Sequence, residues 1–143
     1  MPIRPAHIAD ASSIAVLSEQ LGYPSAIEAI ERRLSALISD TQHGVFVAEE
    51  DVVVGWIHVT VMHSVESDAY AEIRGLVVDE LHRGKGIGTQ LIKAAEKWTS
   101  EKGFKKIRIR TNVVRTETIE YYKKCGYAIT KTQRVFDKDL GKI

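Results

Sequence analysis

Glycines and cationic side chains alternate in one short stretch, Arg83-Gly84-Lys85-Gly86-Ile87-Gly88. Glycine lets the backbone turn so that its N–H groups point inward, and it leaves no side chain in the way of a bound anion. A helix predicted to begin near Gly88 would add the positive end of its dipole. Arg83 and Lys85 would add formal charge. The stretch therefore predicts a pyrophosphate-binding site.

The spacing of the glycines excludes the two best-known phosphate loops. The dinucleotide fingerprint needs G-x-G-x-x-G, whereas the glycines here stand at 84, 86 and 88. The P-loop pattern G-x-x-x-x-G-K-[ST] is absent. A tight connection between a strand and a helix, with a solvated basic edge, is the structural alternative that spacing alone leaves open.

The composition sets limits on what else the chain does. With 143 residues, the chain predicts a single domain over 1–143. The formal net charge of +1 speaks against a dedicated nucleic-acid binder, and a single cysteine allows no intramolecular disulfide. No apolar run approaches the roughly 20 residues that cross a bilayer, and no signal-peptide pattern opens the chain. These features predict a cytoplasmic protein without membrane contact.

Hydrophobic periodicity predicts the element order β-α-α-β-β-β-α-β-α-β. The first helix should end near Gly22, and a capping box of Ser25 with Glu28 should open the second. Strands are expected at 45–48, 52–61 and 70–78, a helix from Ile87 to near Gly103, and a strand at 106–111. Thr116 should cap a last helix that stops at Gly126, before a final strand at 127–136. The middle strands should pair antiparallel and the strands at 70–78 and 106–111 parallel, in a mixed α/β sheet.

Two segments together resemble a known family. Arg83-x-x-Gly86-x-Gly88, after Leu76-Val77-Val78-Asp79, resembles the acetyl-CoA-binding motif of the GNAT superfamily of N-acetyltransferases. Asn112 is expected to close a strand, and the run from Tyr121 to Tyr127 resembles that family's F-Y-x-x-x-G-F/Y segment. Thr118 stands where the family often has Ala, and Cys125 where it often has Leu.

The resemblance implies a GNAT acyl-CoA N-acyltransferase fold, with a mostly antiparallel sheet, a splayed parallel pair and flanking helices. It implies acetyl-CoA as cosubstrate and no metal. Pantetheine would pair with one strand edge and the pyrophosphate would lie on the glycine-rich loop. The implied coenzyme-binding residues are Leu76, Val77, Val78, Arg83, Gly84, Lys85, Gly86, Ile87, Gly88, Thr89, Asn112 and Tyr122.

The reaction implied is direct attack of an amine on the acetyl thioester, and two residues are candidates for proton transfer. Tyr122 aligns with the family tyrosine near the coenzyme sulfur and is predicted to protonate the leaving thiolate. The alternative is a core aromatic, a role that suits Tyr121 better. Glu72 is the candidate base, placed by strand alternation on the side of Arg74 and Leu76. An ion pair with Arg74 is the equal alternative. His58, on the strand bordering the acceptor side, is expected to be structural.

The acceptor is predicted to be a small cationic amine, of aminoglycoside-like or polyamine-like type. The family's acceptor pocket would include Glu19, Tyr23, Glu66, Asp68 and Asp137 here, and this acidic character favours a cation. A protein N-terminus or lysine is an alternative acceptor, and a non-catalytic acyl-CoA sensor an alternative function. A nucleotide-binding or nucleic-acid-binding regulator is a further alternative. The family often dimerises, and the apolar final strand would allow a homodimer.

Overall fold

A computed structural model describes residues 2–141 of the chain. The strands are β1 (Ile3–Pro5), β2 (His43–Glu49), β3 (Val53–Met62), β4 (Tyr70–Val78) and β5 (Ile107–Ile109). The helices are α1 (Ala11–Gln20), α2 (Ile27–Ile38), α3 (Ile87–Glu101) and α4 (Thr116–Lys124), with short 3₁₀ turns at Ile8–Asp10 and Glu80–His82. The strands form one sheet in the order β1-β2-β3-β4-β5. All neighbours pair antiparallel except β4 and β5, which confirms the predicted mixed α/β sheet.

The helices cover the two faces of the sheet. A side chain added at Gly55 would meet Leu91 and Ile87 of α3. The next residue along β3, Trp56, packs instead with a cluster that includes Leu34 of α2. Because successive strand residues point to opposite faces, α3 lies on one face and the α1–α2 pair on the other.

A β-bulge interrupts β4 at Arg74. His58 of β3 pairs with Gly75, whereas Val59 pairs with Ile73, so that Arg74 has no partner in the register. A bulge shifts the alternation by one residue. Leu76 therefore pairs with Ile57 on the α3 face, while Glu72 pairs with Thr60 on the other. The prediction that Glu72 shares a face with Leu76 is wrong, because unbroken alternation does not anticipate a bulge.

The parallel pair is short. Pairing of β4 with β5 covers only Ala71, Ile73 and the residue between them. Within the described residues, β4 from Arg74 to Val78 has a strand partner on the β3 side alone. The predicted splayed edge is therefore present, beginning at the bulge.

The N-terminal strand is held by ion pairs. Both guanidinium NH₂ groups of Arg4 lie 2.9 Å from the carboxylate oxygens of Asp10, and its Nε lies 3.0 Å from Glu49 Oε1. Asp10 is almost fully buried, and Arg4 lowers the pKa of its carboxyl below the usual value. These contacts fix β1 against both the 3₁₀ turn and β2.

Two predicted helix caps do not form. The N-cap of α2 is Ala26, one residue after Ser25, and no side chain bonds to the cap, so the Ser25–Glu28 capping box is absent. An N-cap hydroxyl reaches the free amides only from the N-cap position itself. Thr116 is the first helical residue of α4, after the N-cap Arg115, and so does not cap it. The stop at Gly126 is confirmed, with φ of 95° directly after the C-cap.

The predicted final strand at 127–136 is also wrong. Residues 127–141 have no helix or strand, and Val135 and Phe136 are 83% and 89% exposed. Alternating apolar residues favour a strand, but a strand forms only where another backbone accepts its hydrogen bonds.

The chain divides into two compact units, one ending at Arg110 and one beginning at Thr111. The first contains the five-stranded sheet with α1 to α3, and the second contains α4. The single domain over 1–143 stays a prediction. None of the helices described has the length and apolar character that crossing a bilayer requires.

Candidate active site

The glycine-rich loop leads directly into α3. Gly84 and Gly86 both have φ of 81°, the left-handed region that favours glycine, and a Cβ at either position would meet open space. Gly86 is the N-cap of α3, and the helix begins at Ile87, close to the predicted start. Gly88 has no positive φ and lies within the helix. Two of the three glycines are thus required by the backbone conformation.

The backbone amides of this loop are available to a ligand. The N–H of Gln90 donates to Gly86 O, which closes the first turn of α3, and the amides of Ile87 and Gly88 precede that bond. Within residues 2–141, no described side chain hydrogen-bonds to an amide between 84 and 88. The Arg83 side chain lies on the strand end instead, with Nε 3.2 Å from Val78 O. Amides without a protein partner at a helix N-terminus, beside two cations, are suited to a phosphate group.

The end of α1 anchors the connection that precedes this loop. Gln20 Nε2 donates to Asp79 Oδ1 at 2.9 Å, and the Glu80 N–H donates to Gln20 Oε1 at 3.0 Å. His82 Nδ1 lies 2.6 Å from the other oxygen of Asp79. The hydrogen bond from Gln20, followed by that from His82, lowers the pKa of Asp79. Sequence reasoning missed Gln20, because nothing in a single sequence links residues 59 positions apart.

The strand edge beside the loop carries the residues expected to meet pantetheine. Val77 is buried, while Leu76 and Val78 are half-buried. The amide of Asp79 bonds to Val54 O and so ends the pairing with β3. The edge that faces away from β3 has no strand partner among the described residues, as pairing with an extended amide ligand requires.

Glu72 lies fully buried between two arginines. One carboxylate oxygen accepts a hydrogen bond from Arg74 Nη1, and the other lies 2.8 Å from Arg110 Nε. Glu72 has no exposed surface, whereas both arginine side chains are about half exposed. The ion pair with Arg74 is therefore present, in a buried rather than a surface form.

Most of the basic residues around β5 have intramolecular partners. Arg110 binds Glu72, and Arg108 donates to the Tyr70 hydroxyl at 2.9 Å while lying over its ring. Lys106 lies over the same ring, and Lys102 over Trp98. Cation–π contacts and ion pairs thus account for four cations that the sequence groups together.

The second unit holds the other predicted residues. Tyr122 of α4 has ring neighbours in Tyr121 and Tyr127, with centroids 5.8 Å and 6.4 Å away. Burial raises the pKa of its phenol above the usual value. Asn112 lies beyond the end of β5, and its Oδ1 accepts the N–H of Val114 at 3.1 Å. The Asn112 side chain therefore caps the loop that follows β5.

The acidic residues proposed for the acceptor lie in different places. Glu19 lines a cleft between α1 and α2 of about 330 Å³, which also includes Val16 and Ile27. Tyr23, in the turn between these helices, is 66% exposed. Glu66 and Asp68 lie in the exposed loop between β3 and β4, and Asp137 in the second unit.

Residues 2–141 contain no group of three or more His, Cys, Asp or Glu placed to hold a metal ion.

Solved structures show the same fold. An aminoglycoside 6'-N-acetyltransferase from Acinetobacter haemolyticus superposes with a TM-score of 0.85 at 18% identity, over 99% of this chain and 100% of the other. An aminoglycoside N-acetyltransferase in complex with CoA superposes with a TM-score of 0.84 at 20% identity, over 96% and 99%.

Sequence comparison gives one relative that matches over most of its length. The aminoglycoside N(6')-acetyltransferase type 1 of Stenotrophomonas maltophilia is 28% identical over 93% of this chain and 88% of its own. Other matches are local. The chain spans only 29% and 34% of the length of a probable N-acetyltransferase 14 of Xenopus tropicalis and the streptothricin acetyltransferase of Escherichia coli.

The family itself is identified by a match that covers the whole glycine-rich loop and most of the sheet. Residues 12–127 match the acetyltransferase (GNAT) family. The chain therefore belongs to the GNAT family of acetyltransferases.

Proposed function

We propose that the protein transfers the acetyl group of acetyl-CoA to a primary amine of a small cationic molecule. The observation that carries this proposal is the loop at 83–88, which opens α3 with two left-handed glycines and unused backbone amides. The bare edge of β4 from Arg74 to Val78 adjoins it along the chain. A diphosphate and an amide-containing arm are the two parts of CoA that such a loop and edge would bind.

The residues of the loop and edge have distinct tasks in this proposal. The amides and cations at 83–88 neutralise the diphosphate, and Thr89 extends the same helix turn. Leu76 to Val78 offer backbone groups to pantetheine, and Asn112 contributes to the same arm. Holding the thioester still allows direct attack by a bound amine in a ternary complex.

Proton transfer is the chemical difficulty. An alkyl ammonium has a pKa of about 10.4, so that freeing its lone pair at pH 7 costs about 4–5 kcal/mol. The departing thiolate, in turn, leaves more readily when protonated. Tyr122 is proposed for this second task, and its raised pKa keeps the phenol protonated and able to donate. Both carboxylate oxygens of Glu72 bind guanidinium groups. The role of Glu72 as the base stays a prediction.

Support for a cationic acceptor comes from Glu19 in the α1–α2 cleft and from the aminoglycoside acetyltransferases that share the fold. Aminoglycosides and polyamines both carry several ammonium groups, which a carboxylate attracts. We place the reaction in the cytoplasm, where acetyl-CoA is available. A homodimer is part of the same expectation.

The test pairs calorimetry with turnover. Titration with CoA should show saturable binding, and release of free thiol from acetyl-CoA should accelerate with at least one aminoglycoside or polyamine. Binding of CoA without turnover on amines, amino acids or peptides would favour a sensor. Failure to bind CoA would overturn the proposal.

A further inference from the structure

Two histidines on neighbouring strands bond directly to each other. His43 Nδ1 of β2 lies 3.0 Å from His58 Nε2 of β3, with ring centroids 5.2 Å apart. The second nitrogen of His43, Nε2, lies 3.7 Å from Asp40 Oδ2. The Asp40 side chain is half exposed and that of His43 one quarter exposed. The three side chains therefore form a line from the sheet to solvent.

Two pairs of neutral tautomers satisfy the bond between the rings, since either ring can donate. In one of these pairs His43 carries hydrogen on Nε2, toward Asp40 Oδ2 at 3.7 Å, and has its lone pair at Nδ1. His58 must then donate from Nε2, which leaves the lone pair of its Nδ1 free to accept. Among the described residues, His58 hydrogen-bonds to His43 alone. Burial, with His43 and Arg74 nearby, lowers the pKa of His58 to about 4, so this ring is neutral at pH 7.

His58 lies one strand in from the splayed edge, level with the start of that edge. It pairs with Gly75 across the sheet, next to the bulge at Arg74, and the pairing of β4 with β5 ends at Ile73. His58 also lies two residues from Trp56 along β3, on the face of the sheet that α1 and α2 cover. A proton acceptor at this position would serve an amine that binds on the α1–α2 face of the sheet next to the bulge.

We propose that His58 accepts a proton from the acceptor amine and that His43 and Asp40 carry a proton onward to solvent. The inference rests on the proposed function. A cationic amine that becomes an amide loses two protons; one ends on the CoA sulfur as the C–S bond breaks, and the other is released. For the released proton, His58 Nδ1 gains a hydrogen while its Nε2–H passes to His43 Nδ1. The Nε2–H of His43 then passes to Asp40 or to water.

The arrangement makes His58 a better placed acceptor than Glu72. The carboxylate of Glu72 has both oxygens bound to arginines, whereas Nδ1 of His58 has no hydrogen-bond donor among the described residues. Transfer through the His43 ring also carries the proton to the solvent-exposed end of the pair. A single buried base has no such route to solvent.

The tautomers are testable on the full chain without any substrate. Long-range proton–nitrogen NMR spectra at pH 7 should show His58 as a neutral ring with hydrogen on Nε2, bonded to a His43 whose hydrogen is on Nε2, assigned by loss of signals in His43→Gln and His58→Gln. A His58 with hydrogen on Nδ1, or a charged His58 at this pH, would overturn the inference. That result would leave CoA binding, and so the proposed function, untouched.

Kinetics then tests the role. His58→Gln should lower kcat/KM for a strongly basic alkylamine about 10²-fold or more, and far less for an alkoxyamine that is already unprotonated at pH 7. CoA affinity by calorimetry should stay at the wild-type value, and His7→Gln, an exposed histidine on the first strand connection, is the matched control. Equal losses with both amines would show a merely structural role and contradict the inference. A wild-type protein that binds CoA and acetylates no aminoglycoside or polyamine would overturn the proposed function, and this inference with it.

Discussion

Gln20 at the end of α1 and Asp79 at the end of β4 are joined by a 2.9 Å hydrogen bond between Nε2 and Oδ1. The same Gln20 side chain accepts the amide of Glu80, so one residue holds two points of the connection that leads to the glycine-rich loop. The last residue of a helix that lines the α1–α2 cleft thereby fixes the entrance to the proposed coenzyme site.

Gln20→Ala should raise the KM for acetyl-CoA several-fold with little change in kcat, because the loop loses its anchor while the reacting groups stay in place. Gln20→Glu should be worse, since its carboxylate would face that of Asp79. Steady-state kinetics with varied acetyl-CoA measures both. Gln42→Ala, which removes an exposed amide bonded to His63, is the control. A KM unchanged in both Gln20 variants would contradict the anchoring role.

Tyr122→Phe should lower kcat by about 10²–10⁴-fold, the range that general-acid catalysis contributes. The ring and its contacts with Tyr121 and Tyr127 remain, so the KM for acetyl-CoA should change little. Tyr121→Phe, on the same helix, should keep near-wild-type kcat. Equal kcat for the wild type and Tyr122→Phe would remove Tyr122 from the mechanism.

Glu72→Gln separates the two roles predicted for this residue. Replacing the carboxylate leaves Arg74 and Arg110 without their anion, and we expect a loss of about 1–3 kcal/mol in the free energy of unfolding. The loss is limited because both arginine side chains reach solvent. Urea denaturation measures this loss. In the folded variant, an acidic limb of the pH–rate profile that matches the wild type would favour the ion pair, and its disappearance would favour the base.

Asp10 should make stability depend on pH in acid. Its folded-state pKa lies below the ordinary value of 3.8, because Arg4 stabilises the charged form. The unfolded chain therefore binds a proton first as the pH falls, and the stabilisation present above pH 4 is lost progressively below it. Asp10→Asn should lower the free energy of unfolding at pH 7 by about 1–3 kcal/mol and flatten the acid loss. Urea titrations at pH 7 and pH 3 measure both effects, and Asp51→Asn, at an exposed position, is the control. If the free energy of unfolding of Asp10→Asn fell with pH in parallel with that of the wild type, the assignment would be contradicted.

Local patterns in the sequence predicted most of the fold. The strands predicted at 52–61 and 70–78, the helix predicted from Ile87 and the glycine stop of α4 each depend on residues close together in the chain, and the structure confirms them. The prediction of a final strand failed because alternating apolar residues carry no information about a partner strand. The prediction of the face of β4 on which Glu72 lies failed for a related reason, because the bulge at Arg74 is visible only in the register with β3.

The candidate site also has a part that the sequence predicts and a part that it does not. The loop at 83–88 is one contiguous segment, so its glycine conformations could be predicted directly. Gln20, Arg110 and His43 each reach a partner 15 or more residues away. A single sequence holds no signal for such pairs, because each residue by itself is an ordinary polar side chain.

The structure of the protein crystallised with CoA tests the central claim most directly. The diphosphate oxygens should lie within hydrogen-bond distance of backbone amides between 84 and 88, with the pantetheine amides along β4 at Leu76 to Val78. A diphosphate bound elsewhere, with those amides facing only water, would contradict the account.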